Sequence, residues 1–466
     1  METETNLTYE SLVDDLPEMV DLPSTNQLLK TVKESADVII VLDDDPTGTQ
    51  TVHDIPVLTE WTFEAIVSEL KIGTPLFYIL TNSRSLPENQ AKKLGLEIAH
   101  NIKQATQKLE KKHIVISRSD STLRGHYPLE IDILNTVFKP NKAVQFLIPA
   151  FFEGGRYTIN DIHYVKEGIK MTPAHLTPFA KDKVFGFKNS QLIKWVSEKY
   201  NGELLQEIHS LTLSEIRSEL TDVLCTKVNR LNSGDICIVN AINYDDLKKV
   251  IFAILQSEVT PLFRTAASTI ATFTQQDTHF ITNKICGPNS NGGLIVLGSY
   301  VPKSTQQLNH TLKNTNLHPI KVNVNDLLKN QAVNESELAK RIDYHIEQGT
   351  DVILYTSREL VSSSNKEKNL DIGSTVSKYL TNIVSILDVK PRYVIAKGGI
   401  TSSDLATKSL KIKRALVKGQ LIPGVPVWEQ LADSKFPGIP YIIFPGNVGN
   451  ESSLTEAINK LTINLL

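Results

Sequence analysis

The sequence predicts an α/β protein of two domains, each with a largely parallel sheet flanked by helices, and with a ligand cleft between them. Three observations lead there. The chain has 466 residues, more than one hydrophobic core organises comfortably. Short apolar runs alternate with helix-length amphipathic stretches along most of it. Those runs end in polar or glycine-rich loops, and open parallel sheets bind ligands beyond the carboxyl ends of their strands.

The elements follow in order. Residues 1–35 are polar with short apolar patches and predict a leading arm or helix. Strands are expected at 38–42, 76–80, 114–116 and 144–148, and 88–109 is long enough for a crossover helix. Residues 157–235 show a mixed pattern, after which 236–239 reads as another buried strand. Glycine and asparagine cluster at 288–293 without apolar periodicity, the best linker candidate. The expected domains are therefore 36–290 and 291–466. The second contains strand candidates at 294–297, 352–355, 393–396 and 441–444.

Bulk properties exclude several classes. A net charge of -3 with no basic stripe argues against a nucleic-acid partner. Cys225, Cys237 and Cys286 are too few and scattered for a disulfide framework or zinc knuckle, and read as free thiols in a reducing compartment. The acidic start, Met1-Glu2-Thr3-Glu4, carries no secretory pattern, and no apolar run is long enough for a membrane span. A cytoplasmic location is expected.

The loops of the first half carry charge. Asp43-Asp44-Asp45 directly follows a buried run, and adjacent carboxylates repel unless a cation, metal or solvent attends them. One of them could take a proton from an attacking hydroxyl. An exposed acidic turn is the bland alternative. Asp120-Ser121-Thr122-Leu123-Arg124-Gly125 pairs a carboxylate with an arginine whose fork suits a substrate carboxylate; alternatively the two merely bridge each other. Arg84 and Arg156 have the same placement after strands. His53, His126 and His163 lie near these loops and read as surface or satisfied residues.

Three strands of the second half run into glycine: Gly298-Ser299, Lys397-Gly398-Gly399-Ile400-Thr401 and Pro445-Gly446-Asn447-Val448-Gly449. Each is followed by a plausible helix start, at Lys303-Ser304-Thr305, Ser402-Ser403-Asp404 and Glu451-Ser452-Ser453. Glycine lets backbone approach a ligand, and helix N-termini attract phosphate. Neither a P-loop nor a dinucleotide fingerprint is present, so a nucleotide site of another design is implied. Residues 419–426 add a rigid turn that could wall an adenine pocket or be purely structural.

Together these loops resemble the four-carbon acid sugar kinases. The resemblance rests on Asp44-Asp45-Pro46-Thr47-Gly48 and on Arg118-Ser119-Asp120-Ser121-Thr122-Leu123-Arg124-Gly125. Thr81-Asn82-Ser83-Arg84, Pro149-Ala150-Phe151 with Gly155-Arg156, Arg264-Thr265-Ala266-Ala267-Ser268 and the glycine loops follow in family order. It spans about residues 36–466. Departures fall at Asp43, where a small residue is common, at Arg118, where lysine is common, and around 153–163.

The resemblance implies a sugar-acid-binding N-terminal domain, an ATP-binding C-terminal domain, and phosphorylation of a terminal hydroxyl on an acid such as threonate, erythronate or an oxo-tetronate. Asp44, Arg84, Asp120, Ser121, Arg124 and Arg156 are then the expected substrate contacts. Ser299, Gly398, Gly399, Ile400, Thr401, Gly446 and Asn447 would hold ATP with Mg²⁺, whose ligands the sequence does not identify. Asp44 or Asp45 would be the base, and Arg118 or Lys397 would steady charge on the transferring group. Expected partners are the small-molecule acid and ATP, with a homodimer as the assembly and no nucleic acid or membrane. Two rival readings exist: a haloacid-dehalogenase-like phosphotransferase with Asp43 as nucleophile, and a non-catalytic sensor of sugar acid or nucleotide.

Overall fold

Runs of β-branched and aromatic residues that are apolar on both faces make the central strands. Leu76–Leu80 is buried along its whole length, and Val38–Asp43 almost so; such runs belong to parallel sheets covered on both sides. The computed structural model describes residues 7–203, 206–282, 290–298, 301–358, 366–446 and 448–462. By internal packing the chain divides into two units, Met1–Asp44 with Glu60–Asp277, and Asp45–Thr59 with Thr278–Leu466.

Among the described residues the first unit holds seven parallel strands. Their spatial order is Leu76–Leu80, Val38–Asp43, His113–Arg118, Thr260–Thr265, Ala143–Ile148, Ile236–Val239 and Ile208–Leu211. Chain order reverses on either side of Val38–Asp43, which makes its border with His113–Arg118 a topological switch point. The crossover helix Glu88–Lys108 begins after Pro87 and buries Ala91, Ile98, Ala99, Ile102 and Ala105, largely at three- and four-residue spacing. The stretch 157–235, unreadable in the sequence, contains a three-stranded antiparallel sheet, Arg156–Ile159, Ile162–Glu167 and Lys170–Pro173, followed by short helices. Its first turn is Asn160-Asp161, both left-handed (φ 51° and 60°), as a two-residue hairpin requires.

The leading segment is part of this unit. Helices Tyr9–Val13 and Thr25–Ser35 are tied down by the buried Lys249, whose Nζ donates to the Val20 carbonyl at 2.6 Å, and by Gln256 donating to Thr31 Oγ1 at 3.0 Å.

Among the described residues the second unit has five parallel strands in the order His318–Val322, Val352–Thr356, Leu294–Leu297, Val394–Lys397 and Pro440–Phe444. Val425–Gln430, Arg414–Ile422 and Pro56–Leu58 continue the sheet antiparallel. Residues 419–426 are thus the end of a hairpin that turns at Pro423-Gly424. Leu297 is in register with Lys397, and Lys397 with Phe444. The three glycine loops therefore leave the sheet at one level, on the same edge. The border between Leu294–Leu297 and Val394–Lys397 is this sheet's switch point.

Candidate functional site

In the first unit the switch point carries a packed array of opposite charges. Asp43, Asp44 and Asp45 are 1%, 2% and 9% exposed, so the exposed acidic turn is excluded. Asp43 and Arg118 are register partners at the ends of adjacent strands, and Arg118 Nη1 lies 3.0 Å from Asp43 Oδ1. Asp44, one residue beyond, accepts a hydrogen bond from the Ser119 hydroxyl, with the Arg84 and Arg118 guanidinium groups each 4.0 Å from its other oxygen. Burial raises the Asp44 pKa above the usual carboxylate range, opposed by Arg84.

The loop after His113–Arg118 is folded by its own side chains. Asp120 accepts from the Thr122 hydroxyl and from Arg124, Nε at 2.9 Å and Nη2 at 3.3 Å, while Arg84 Nη1 lies 3.1 Å from its other side. Burial alone would raise the Asp120 pKa; Arg124 and Arg84 overcome it and hold the carboxyl well below its usual range. Gly125 has φ 126°, and a Cβ there would fall 2.7 Å from Ser119 Oγ and 3.2 Å from Asp44 Oδ2. Only glycine lets this loop close on the aspartate.

Of the two readings of Arg124, the geometry shows the bridge to Asp120. The fork is spent bidentately on Asp120, and its remaining nitrogen, Nη1, lies 3.5 Å from Asp182 Oδ2. Ser121 turns its carbonyl to His163 Nε2 at 2.7 Å. Burial pushes the His163 pKa down to about 4, leaving a neutral ring that also meets the Thr158 hydroxyl. His126 Nε2 donates to the Ser83 and Leu86 carbonyls. Both buried histidines are satisfied, as expected. Arg156 lies across the Phe179 ring, Cζ 5.6 Å from the centroid, with Arg124 Cζ 5.1 Å from the same centroid.

Arg264 entered the sequence reading only as part of a motif in the resemblance, without a role, and Glu130 was not singled out. Arg264 is 5% exposed, its Nη2 lies 3.8 Å from Glu130 Oε2, and it borders the same glycine. Ser83 donates to Glu130 Oε1 at 2.6 Å. Pro261 disguised the strand that carries Arg264, because proline in a run argues against a central strand. Nothing in the sequence marks Glu130, or Phe179 and Asp182 in the irregular stretch.

In the second unit the helix after Val394–Lys397 begins at Gly399, three residues before the expected start. Gly398 (φ 113°) is its N-cap, and the Ser402 hydroxyl folds back onto the Ala396 and Gly398 carbonyls at 2.9 and 2.7 Å. The Gly398 N–H is taken by the Phe444 carbonyl, so the amides of Gly399, Ile400 and Thr401 form the first turn. Thr401 packs on Gly298 across the switch point, and Ile400 is 51% exposed. Gly446 accepts from the Ser304 hydroxyl at 2.9 Å. Ser299 and Asn447 lie outside the described residues.

Two charged groups attend this loop. Lys397 is fully buried; its Nζ donates to the Pro445 carbonyl at 3.0 Å and lies 3.9 Å from the Phe444 ring centroid. Burial pushes its pKa down to about 7, helped by Lys303. Asp45 belongs to this unit: Oδ1 accepts from the Thr47 N–H at 2.9 Å, and a Cβ on Gly399 would fall 2.6 Å from Oδ2. Trp428 Nε1 pins the adjoining turn by donating to Thr49 Oγ1 at 3.1 Å. Among the described residues no three histidine, cysteine or acidic side chains form a metal-holding group.

An arginine–carboxylate loop array on one parallel sheet and glycine loops on another mark the class as a two-domain α/β protein with a different kind of loop array on each domain. Family models divide it alike: a sugar-binding N-terminal domain matches residues 39–273 and a nucleotide-binding C-terminal domain matches 294–454. The chain belongs to the four-carbon acid sugar kinase family. No curated protein matches it. Among solved structures it is similar to a Salmonella typhimurium LT2 protein provisionally described as a tRNA synthase, at 16% identity and TM-score 0.64 over 90% of this chain and 98% of that one. It is also similar to Haemophilus influenzae protein HI1011, of the DUF1537 family, at 14% identity and TM-score 0.61 over 91% and 100%. At these identities the likeness is one of fold.

Proposed function

We propose that this protein is an ATP-dependent kinase that phosphorylates a terminal hydroxyl of a four-carbon or similar sugar acid, such as threonate, erythronate or an oxo-tetronate. One observation carries the reading. Two consecutive carboxylates serve different loop arrays: Asp44 stands among the arginines of the first unit, and Asp45 stands over Gly399 in the second. A kinase must hold an acceptor and a donor on separate binding surfaces and bring both to one reacting bond.

In this reading the sugar acid contacts Asp44, Arg84, Asp120, Ser121, Arg124 and Arg156, the middle four mainly by shaping the loop. Phosphates lie on the amides of Gly399, Ile400 and Thr401 with Gly398 and Gly446 beside them, and Lys397 supplies a cation there. Asp44 is the preferred base, since burial raises its affinity for a proton. It takes the hydroxyl proton as the sugar oxygen bonds to the γ-phosphorus and the bond to the β-bridging oxygen breaks, releasing ADP. Mg²⁺ binds mainly through phosphates and water with one or two carboxylates, a donor set that Asp45 fits; when bound it would neutralise phosphate charge. Asp43 suits the phosphoaspartate alternative poorly, being 1% exposed and paired with Arg118. The free thiols of Cys225 and Cys237 fit a cytoplasmic enzyme, and a homodimer is the proposed assembly.

The test is ATP consumption over tetronates, oxo-tetronates, branched acids and five-carbon acids. Turnover is expected with at least one, falling about 100-fold or more in Asp44→Asn. Consumption with none of them overturns the kinase reading. Near-normal turnover in Asp44→Asn overturns its assignment as base and leaves the kinase reading standing; near-normal turnover in Asp45→Asn as well removes both candidate carboxylates.

A further inference from the structure

The charge array of the first unit is almost fully self-neutralised, and the exception is informative. Arg84 lies against Asp120, Arg118 against Asp43, Arg124 against Asp120 and Asp182, and Arg264 against Glu130. Arg156 has no carboxylate within ion-pair distance among the described residues. Its Nη1 donates to the Gly154 carbonyl, its Nε is buried without a hydrogen-bond acceptor among the described residues, and its Cζ lies over the Phe179 ring, 5.6 Å from the centroid. A guanidinium over an aromatic ring keeps its charge, and its donors can still serve an anion.

The other face of the site is set by the irregular stretch 174–187. It brings Phe179 to both Arg124 and Arg156, puts Asp182 Oδ2 3.5 Å from Arg124 Nη1, and sets Phe185 edge-on to His126 at 4.9 Å. Asp182 and Arg124 are both partly exposed, at 26% and 23%. The nitrogen of Arg124 that Asp120 leaves open is thus met by a resident carboxylate.

Resting on the sugar-acid reading above, we infer that Arg156 on Phe179 seats the carboxylate of the substrate, and that Asp182 is a specificity-determining residue which excludes a second acid group. A ligand carrying one carboxylate completes the charge balance at Arg156. A ligand carrying two must place the second near Arg124, where Asp182 already stands and repels it. Like-charge placement of this kind is a common way to reject a near-isostere.

The experiment is titration calorimetry on the full chain without nucleotide. The probes are tetronic, pentonic and hexonic acids, their dicarboxylic counterparts and the matching neutral polyols. The wild type should bind a monocarboxylate at least 10-fold more tightly than the diacid or polyol of the same carbon count. Arg156→Gln should weaken that binding about 10- to 100-fold, as expected for losing a charged hydrogen-bond donor. Arg156→Lys, which keeps the charge and loses the fork, should fall between. Asp182→Asn should narrow the gap between monocarboxylate and diacid at least 10-fold. A correctly folded Arg156→Gln that binds like the wild type, an Asp182→Asn that leaves the gap unchanged, or a wild type that binds no monocarboxylate each overturns the inference. Binding is read apart from turnover, so these outcomes stand whether or not ATP is consumed. Phosphorylation of a neutral polyol in preference to its acid would overturn this inference and leave the kinase reading intact.

Discussion

Replacing Lys397 by methionine should stabilise the second unit at neutral pH, by an amount that fades as pH rises. Lys397 is 0% exposed; among the described residues its Nζ has one hydrogen bond, to Pro445, and it lies against the Phe444 ring. Burial lowers its pKa from 10.5 to about 7. Between those values the unfolded chain carries a proton on this amine that the folded chain has released. Stability of the wild type therefore rises with pH through that window, by about 1.4 kcal/mol per pH unit and roughly 5 kcal/mol in all. Methionine has similar volume and no charge, so its variant lacks this slope. Urea unfolding of both proteins at intervals from pH 6 to 10, followed through the second unit, isolates the difference because other groups titrate alike in both. The variant should be the more stable by several kcal/mol at pH 6 to 7, with the gap closing toward pH 10. A difference that stays flat within about 1 kcal/mol across that range would refute the account of a buried, reluctant cation.

Three further outcomes are expected. Gly125→Ala places a Cβ 2.7 Å from Ser119 Oγ at a φ of 126°, so it should cost about 1–3 kcal/mol in thermal or chemical denaturation and weaken acid binding in calorimetry. Gly399→Ala should leave the helix intact, since alanine is the better helix former, yet displace Asp45 from 2.6 Å; we expect near-normal melting with at least a 10-fold loss of turnover (about 1.4 kcal/mol). His163 refuses a proton in the fold until about pH 4 but accepts one near 6.5 when unfolded. The first unit should therefore lose roughly 3 kcal/mol as pH falls from 6.5 to 4, and His163→Gln should flatten that part of the stability–pH curve.

The parallel strands could be read from sequence because burial on both faces leaves an unbroken apolar run, as in Val38–Asp43 and Leu76–Leu80. The three-stranded antiparallel sheet could not. Its strands are four to six residues long and only partly buried, so neither run nor alternation stands out, and Asn160-Asp161 and Gly168 at the two turns are the local signals. Loops carrying Asp44, Arg118, Asp120 and Gly398 were visible because they leave strand ends directly. Which partners they choose was not. The Asp120–Arg124 bridge was one of two readings that sequence left open, and Asp182 reaches Arg124 from a stretch with no periodicity at all. Asp45 is separated from Asp44 by a single peptide bond, yet it packs with Gly399, more than 300 residues along. Only tertiary structure can divide an Asp-Asp pair in that way.

The two loop arrays prepare for anions by different means, and the difference has a measurable consequence. In the first unit guanidinium groups meet carboxylates before any ligand arrives, so their charge is fixed and the geometry is set in advance. In the second, the cation is Lys397, largely neutral above pH 7 in the free protein. If phosphates lie on the Gly399 turn as proposed, their charge favours the ammonium form and pulls its pKa back up. Nucleotide binding at pH 8 should then draw a proton from solvent, seen as a dependence of the calorimetric heat on the ionisation enthalpy of the buffer. The uptake should vanish in Lys397→Met and shrink as the wild type is moved to pH 6, where the lysine is already charged. Acid binding to the first unit should show no matching dependence on Lys397. Uptake that persists in the methionine variant would place the titrating group elsewhere and remove Lys397 from the phosphate site.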